Sequence, residues 1–343
     1  MIRHGFTDRL LHRFALGKPG MRRWWFDLEC RKNDYAFDLT RRNVFVCGAA
    51  RSGSTMLLRQ LQETDAFAAT CYRHMPFVLA PSIWGRGRPR NRSGAQLTER
   101  RHGDRIEVGP DSAEALDGVF WNTLFPNYRG RICPRDLPPE LLERYAMFVE
   151  NLLRHEQRQR YLSKTNQGID KIAAIASGFP NSIVLVPFRD PQQQAASLCR
   201  QHRNFGSLDA YETRYLFWLD HHEFGSTHRP FVESENAEIP RGDPGQVDYW
   251  LEQWYTIYAY LARLAGLHDN LIPVCYERMA ESSEPWIQLS KILGVEVSGQ
   301  AYVNRNDPER IASVETDDGR LERCRSLYRQ LDELSERRAC RSD

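Results

Sequence analysis

The sequence predicts an α/β protein, a three-layer α/β/α sandwich around a mainly parallel central sheet, on three observations. Short apolar runs at 43–47, 182–188 and 271–275, the first of them β-branched, and a shorter segment at 161–164 read as strands. Segments with helical apolar spacing separate them, at 55–63, 138–158, 170–177, 191–203 and from 247 onward. Strands alternating with amphipathic helices bury both faces of a parallel sheet, and ligands of such sheets gather at the carboxyl ends of the strands.

Residues 1–42 form a helical extension broken at Pro19-Gly20, with Trp24, Trp25 and Phe26 expected to pack on the main body. The run Asn-Val-Phe-Val-Cys at 43–47 closes at Gly48, and Met56, Leu57 and Leu61 mark the helix that follows. An insertion at about 84–137 begins with an Arg-, Gly- and Pro-rich stretch of little periodicity, in which Arg86, Arg88, Arg90 and Arg92 read as a solvated loop or a guide for an anionic acceptor. Leu141, Leu142, Tyr145, Phe148, Val149 and Leu152 share one face of the helix over 138–158. After the strand at 182–188, Asp190 and Pro191 are good N-cap and first-turn residues for the next helix. A second irregular insertion is expected at 204–245, then a helix striped by Val247, Trp250, Leu251, Trp254 and Tyr258. A last strand at 271–275 and a core helix at 282–293 complete the main body at 43–303, and 304–343 reads as a polar tail with a candidate helix at 319–338.

The chain has 343 residues and a formal net charge of only +2, so no global field marks it as a nucleic-acid or membrane-surface protein. No window reaches the ~18 apolar residues of a membrane span, and the N-terminus carries no uninterrupted apolar core of a leader, so a cytoplasmic protein is expected. The cysteines are scattered without a C-x-x-C pair, which suits thiols in a reducing compartment rather than a metal or disulfide framework. Lys18, Lys32, Lys164, Lys171 and Lys291 are the only lysines, so a lysine inside an apolar segment carries more weight than one more arginine.

Gly48-Ala49-Ala50-Arg51-Ser52-Gly53-Ser54-Thr55 lies between a buried strand and a helix. Such a turn aims backbone N–H groups and the positive end of a helix dipole at an anion. Its glycine spacing and final Thr55 match the phosphate loop of nucleotide triphosphatases, but Ser54 stands where that loop carries its lysine, and the cation has moved upstream to Arg51. The sandwich is therefore expected to be of the P-loop nucleotide triphosphatase type. A P-loop kinase or other phosphotransferase using Mg-ATP is the alternative reading, against which the missing lysine counts.

The segment Val46 to Thr55 resembles the 5′-phosphosulfate loop of the sulfotransferases that use PAPS (3′-phosphoadenosine 5′-phosphosulfate), with Ala50 in place of the usual proline and Ser54 in place of the usual threonine. Three further pieces follow in the family's order. Arg189, with Ser197 eight residues later, is similar to the 3′-phosphate site; the other reading of Arg189 is a local ion pair. Lys164, at a strand end 25 residues before Arg189, is similar to the lysine that meets the transferring sulfuryl group. Tyr276, in Val-Cys-Tyr-Glu, is similar to a residue near the adenine. The resemblance implies that Arg51, Ser52, Gly53, Ser54 and Thr55 bind the donor and that Arg51 and Lys164 stabilise the departing 5′-phosphate. No metal is implied. It covers about 43–80 and 160–295; the family's Arg-Lys-Gly adenosine loop is missing, with Arg305 as a stand-in.

Transfer to a hydroxyl or amine also needs a base for the acceptor's proton. Where cytosolic members place a His two residues after the lysine, this chain has Asn166. His74 is the expected replacement, with His221, His222 and Glu223 as the runner-up cluster. A metal reading of that cluster, with His228, is disfavoured because adjacent histidines ligate one ion awkwardly. A small-molecule, saccharide or lipid acceptor is expected, with specificity in the two insertions.

Overall fold

The computed structural model describes residues 5–32, 36–86, 98–99, 107–126, 130–298 and 316–340. Two N-terminal helices, α1 (Phe6–Leu16) and α2 (Pro19–Lys32), precede β1 (Val44–Val46), α3 (Ser54–Glu63), β2 (Phe67–Ala68) and the short α4 (Pro81–Trp84). The first insertion contributes the strands β3 (Thr98–Glu99) and β4 (Glu107–Val108), which pair antiparallel, and α5 (Gly118–Leu124). Next come α6 (Pro139–Glu156), β5 (Arg160–Lys164), α7 (Ile172–Gly178), β6 (Ile183–Phe188), α8 (Pro191–Asn204) and α9 (Ala210–Trp218). The chain continues through α10 (Val247–Leu267), β7 (Leu271–Cys275), α11 (Tyr276–Glu281), α12 (Glu284–Leu293) and α13 (Asp318–Cys340).

The main sheet has five strands in the order β2-β5-β1-β6-β7. Every pairing in it is parallel. Strand alternation divides the core in two. Phe45, Tyr161, Val184 and Val186 face one cluster, which takes in residues of α6, α8, α10 and α13. Val44, Val46, Leu162 and Leu185 face the other, where Leu57, Leu58 and Leu61 of α3 meet Trp286, Leu289 and Leu293 of α12. Both faces of the sheet are thereby covered, as all-parallel sheets require.

The extension is joined to this body by specific contacts. Phe26 is fully buried, with its ring edge-on to Phe120 at 5.6 Å, and Trp25 meets Phe77 at 4.9 Å. Glu29 is buried and accepts backbone N–H bonds from Ser82 and Ile83 at 2.9 and 3.1 Å, capping α4. Trp24 departs from expectation: it is 53% exposed, because it lies on the outer side of α2.

Both insertions hold more helix than the sequence reading expected. Asp209 and Glu212 form a reciprocal capping box that starts α9, a signature visible in sequence. The residues of α5 from Gly118 to Thr123 are all buried, so its sequence shows no amphipathic stripe. The tail is likewise not wholly polar. Leu321, Cys324, Leu327 and Leu331 recur at helical spacing and are buried against the body. Arg88, Arg90, Arg92 and Arg305 lie outside the described residues.

Leu331 is 1% exposed. Leu331→Ala should therefore lower stability by roughly 2–5 kcal/mol, read from the denaturant midpoint. A change within about 0.5 kcal/mol, as for a surface site, would mean that α13 is not part of the core.

Candidate active site

The loop after β1 is held from three sides. Gly48 runs so close to β6 that a Cβ there would lie 2.7 Å from the Pro187 carbonyl oxygen. The Ala50 carbonyl accepts a bond from Gln194 Nε2 at 2.9 Å, and Gln194 Oε1 accepts from Trp254 Nε1 at 3.0 Å. Tyr258 Oη donates to the Pro187 carbonyl at 2.9 Å. Arg51 and Gly53 adopt left-handed backbone, with φ of 69° and 93°. That conformation is costly for Arg51 and persists because the buried neighbours over-determine it. The loop then enters α3, and the first amides of a helix have no acceptor in a preceding turn. Ser52 and Ser54 are buried, and Gly53 and Thr55 half-buried.

Three residues singled out in the sequence, Ser197, Arg189 and Tyr276, gather beside this loop. Arg51 Nε donates to Ser197 Oγ at 3.1 Å. A Cβ on Gly53 would lie 2.4 Å from the ring of Tyr276. The Arg189 guanidinium stands 4.7 Å over the centre of that same ring and donates to Gln193 Oε1 at 3.1 Å. Ser197 thus touches Arg51, while Arg189 lies against Tyr276. Asp190 caps α8 through Gln193 N, and its own N–H donates to Glu277 Oε1 at 3.0 Å. Burial pushes the Glu277 carboxyl up.

Lys164 is abreast of the loop because β5 pairs with β1 in the register Val46↔Lys164. Its ammonium is buried and lies 3.4 Å from Glu114 Oε1, while Glu114 Oε2 accepts from Tyr72 Oη at 3.0 Å. Nothing in the sequence singles out Glu114. It reaches the site because the buried Asp117 carboxylate accepts from Tyr145, Tyr161 and Ser163 hydroxyls at 2.5, 2.6 and 2.7 Å, tying the first insertion to β5. Lys171, the other lysine in an apolar stretch, is a buried partner of Asp170 at 2.6 Å.

His74 has structural partners on both ring nitrogens. Nδ1 faces the Cys71 N–H at 3.0 Å and so must accept, which leaves the hydrogen on Nε2, 2.9 Å from Glu156 Oε1. Arg73 donates to Glu156 Oε2 at 2.7 Å. Burial holds the His74 pKa below its ordinary value. Burial opposes ionisation of Glu156, but His74 and Arg73 outweigh it and hold the carboxyl well below its usual range. His74, His155 and Glu156 bring ligand atoms within 4.8 Å of one another, yet Glu156 is already bound by His74 and Arg73.

A family model described as the sulfotransferase family matches residues 43–298. The chain belongs to the sulfotransferase family. No curated protein matches it in sequence. Among solved structures, the sulfotransferase STF1 from Mycobacterium tuberculosis H37Rv is similar in fold at 12% identity and a TM-score of 0.50, over 94% of this chain and 85% of that one. Sulfotransferase STF9 from Mycobacterium avium aligns at 13% identity and a TM-score of 0.44, over 94% and 79%. Among the described residues of this sulfotransferase, no helix is long and apolar enough to cross a membrane.

The second insertion of the sulfotransferase closes over the strand ends beside the loop. Asn166, two residues after Lys164, accepts from Ser54 Oγ at 3.1 Å and donates to Glu223 Oε1 at 3.4 Å. His221 Nε2 is 3.5 Å from the Ala115 carbonyl. His222 lies between Asp220 Oδ1 and the Thr227 carbonyl, each at 3.2 Å. His228 Nε2 meets Tyr249 Oη at 2.8 Å, and burial, then the neighbouring His202, push its pKa down to about 4. The three imidazoles thus face different partners and do not converge on one point.

The Glu156 cluster makes a prediction about pH. A carboxylate held low contributes stability that is complete above its ordinary value of 4.5 and is lost as pH falls through its lower native value. Glu156→Gln should flatten the acid limb of stability in melts from about pH 6 to about pH 3. His74→Ala should cost roughly 1–3 kcal/mol of stability by stranding buried partners, and leave nucleotide binding unchanged. Selective loss of turnover with unaltered stability would restore His74 as the base.

Proposed function

We propose that this enzyme moves the sulfuryl group of PAPS to an acceptor hydroxyl or amine by in-line displacement, releasing adenosine 3′,5′-bisphosphate. One observation carries the reading: Lys164, in register with Val46, stands beside a loop whose cation, Arg51, touches Ser197. Arg51 and Lys164 are the cations beside which a leaving 5′-phosphate would gain charge, and the reading assigns a second phosphate to Arg189 and Ser197, which here meet Tyr276 and Arg51 respectively. The Tyr276 ring fills the space that a side chain on Gly53 would take, so an aromatic ring with the Arg189 cation over it lies directly against the loop.

In this reading Arg51 and Lys164 are the catalytic cations, and Ser52, Gly53, Ser54 and Thr55 present backbone and hydroxyl donors to the sulfated phosphate. Arg189 and Ser197 take the 3′-phosphate, with Ser197 turning from Arg51 to do so, and Tyr276 stacks near the base. Glu114 is the counter-ion that holds Lys164 in place. The loop has Ser54 where a kinase carries its phosphate lysine, so the Mg-ATP alternative gains no support from the arrangement.

Calorimetry in EDTA should show micromolar binding of adenosine 3′,5′-bisphosphate and much weaker binding of 5′-AMP. Arg189→Ala should remove most of that difference, by roughly 1.5–3 kcal/mol for a charged hydrogen-bond partner. Lys164→Ala should lower the turnover of bound donor by at least about a hundredfold. Equal binding of the two nucleotides would overturn the donor assignment.

A further inference from the structure

Beside the loop lies a pocket, open to solvent on one side, that reaches from Ala49, Ala50 and Asn166 to helix α10. The walls are mostly hydrocarbon and aromatic ring, with Leu198, Phe231, Trp250, Trp254 and Ile257 among them.

Most polar edges of these walls are directed into the protein, while Arg229 adds a cation to the lining beside His222 and His228. Trp254 Nε1 donates to Gln194 and Trp250 Nε1 to the Pro244 carbonyl, at 3.0 and 2.7 Å. Gln253 spends both ends of its amide on the Phe231 backbone, accepting at 2.8 Å and donating at 3.2 Å. His228 meets Tyr249, and His222 sits between Asp220 and Thr227. A guest rich in hydroxyl groups would bury them here against ring faces and lose its bonds to water, a cost that an apolar guest avoids.

At the loop end of the pocket the chemistry changes. Glu223 lines the pocket, and its carboxylate is oriented by Asn166, which is itself bonded to Ser54 of the loop. A carboxylate one amide away from the anion loop is placed to receive a proton from a group held between them.

We propose that the acceptor is a largely apolar, ring-bearing alcohol bound in this pocket, and that Glu223 is the base for its hydroxyl; the reaction, though not the pocket, rests on the donor reading above. The alcohol oxygen attacks sulfur and forms the new S–O bond. Its proton passes to a Glu223 carboxylate oxygen. The bond between sulfur and the bridging oxygen breaks, and its electron pair stays on the 5′-phosphate between Arg51 and Lys164.

The test uses the full chain with decahydro-2-naphthol, an apolar ring alcohol of high pKa, and methyl β-glucoside as the polar control. Calorimetry without nucleotide should detect the decalol and not the glucoside. Ile257→Trp, which fills the pocket, should weaken decalol binding at least about tenfold and leave adenosine 3′,5′-bisphosphate binding unchanged; Leu198→Phe repeats the test should the first variant not fold. With PAPS, Glu223→Gln should keep decalol binding and lower turnover by roughly 10²–10⁴. Binding of the glucoside in place of the decalol would overturn the apolar assignment. Full turnover by Glu223→Gln would overturn the base. Failure of wild type to bind the bisphosphate would overturn the donor reading and with it the Glu223 step, while the nucleotide-free titration would still decide the pocket.

Discussion

The arrangement depends on a three-residue strand that is hydrogen-bonded along both edges. β1 pairs with β5 on one side and β6 on the other, so Val46 has Lys164 and Leu185 as its neighbours. Parallel pairing forces all three strands to end on the same side of the sheet, and their following loops must then share one small space. Arg51, Lys164 and Arg189 are 25 or more residues apart in sequence and are gathered there by register. The turn itself, with its left-handed backbone at Arg51, is held by buried amide and indole groups.

Buried polar groups do the remaining positioning. The Asp117 carboxylate is wholly buried, and burial raises its pKa against the opposing pull of three hydroxyl donors. Such a group is tolerable only when its bonds are made, so it pins the first insertion to β5 with a defined orientation. Glu114 follows three residues earlier and is carried to Lys164. Asn166 acts similarly on the other side, linking the loop to the second insertion through Ser54 and Glu223. Each insertion thereby brings one carboxylate to the strand ends.

The two histidine readings show where sequence reasoning loses its hold. His74 follows a strand end, as a catalytic residue should, and only the direction of the Cys71 N–H fixes its tautomer and turns it to Glu156. The 221–228 cluster invites a metal reading in one dimension, whereas the backbone turns its imidazoles toward Ala115, Thr227 and Tyr249. Lys164 and Lys171 are equally rare and equally buried, yet one neighbours the loop and the other is locked to Asp170. Residue type and spacing were the same kind of signal in each case, and the partner made the difference.

By itself the sequence determined the alternation of strands and helices, the glycine-bearing turn between β1 and α3 with its arginine, and the order of that turn, Lys164, Arg189 and Tyr276. These are legible because hydrophobic period and turn chemistry are local, and a phosphate loop needs its residues consecutively. The capping box of α9 and the apolar spacing of α13 were equally local signals and stood in the sequence to be read. Tertiary structure alone decided that Glu114 and Glu223 face the strand ends, that His74 is turned away from them, and that an aromatic pocket lies beside the loop. The physical reason is that these contacts join residues from 50 to more than 170 positions apart, set by register and by buried hydrogen bonds that no local pattern encodes.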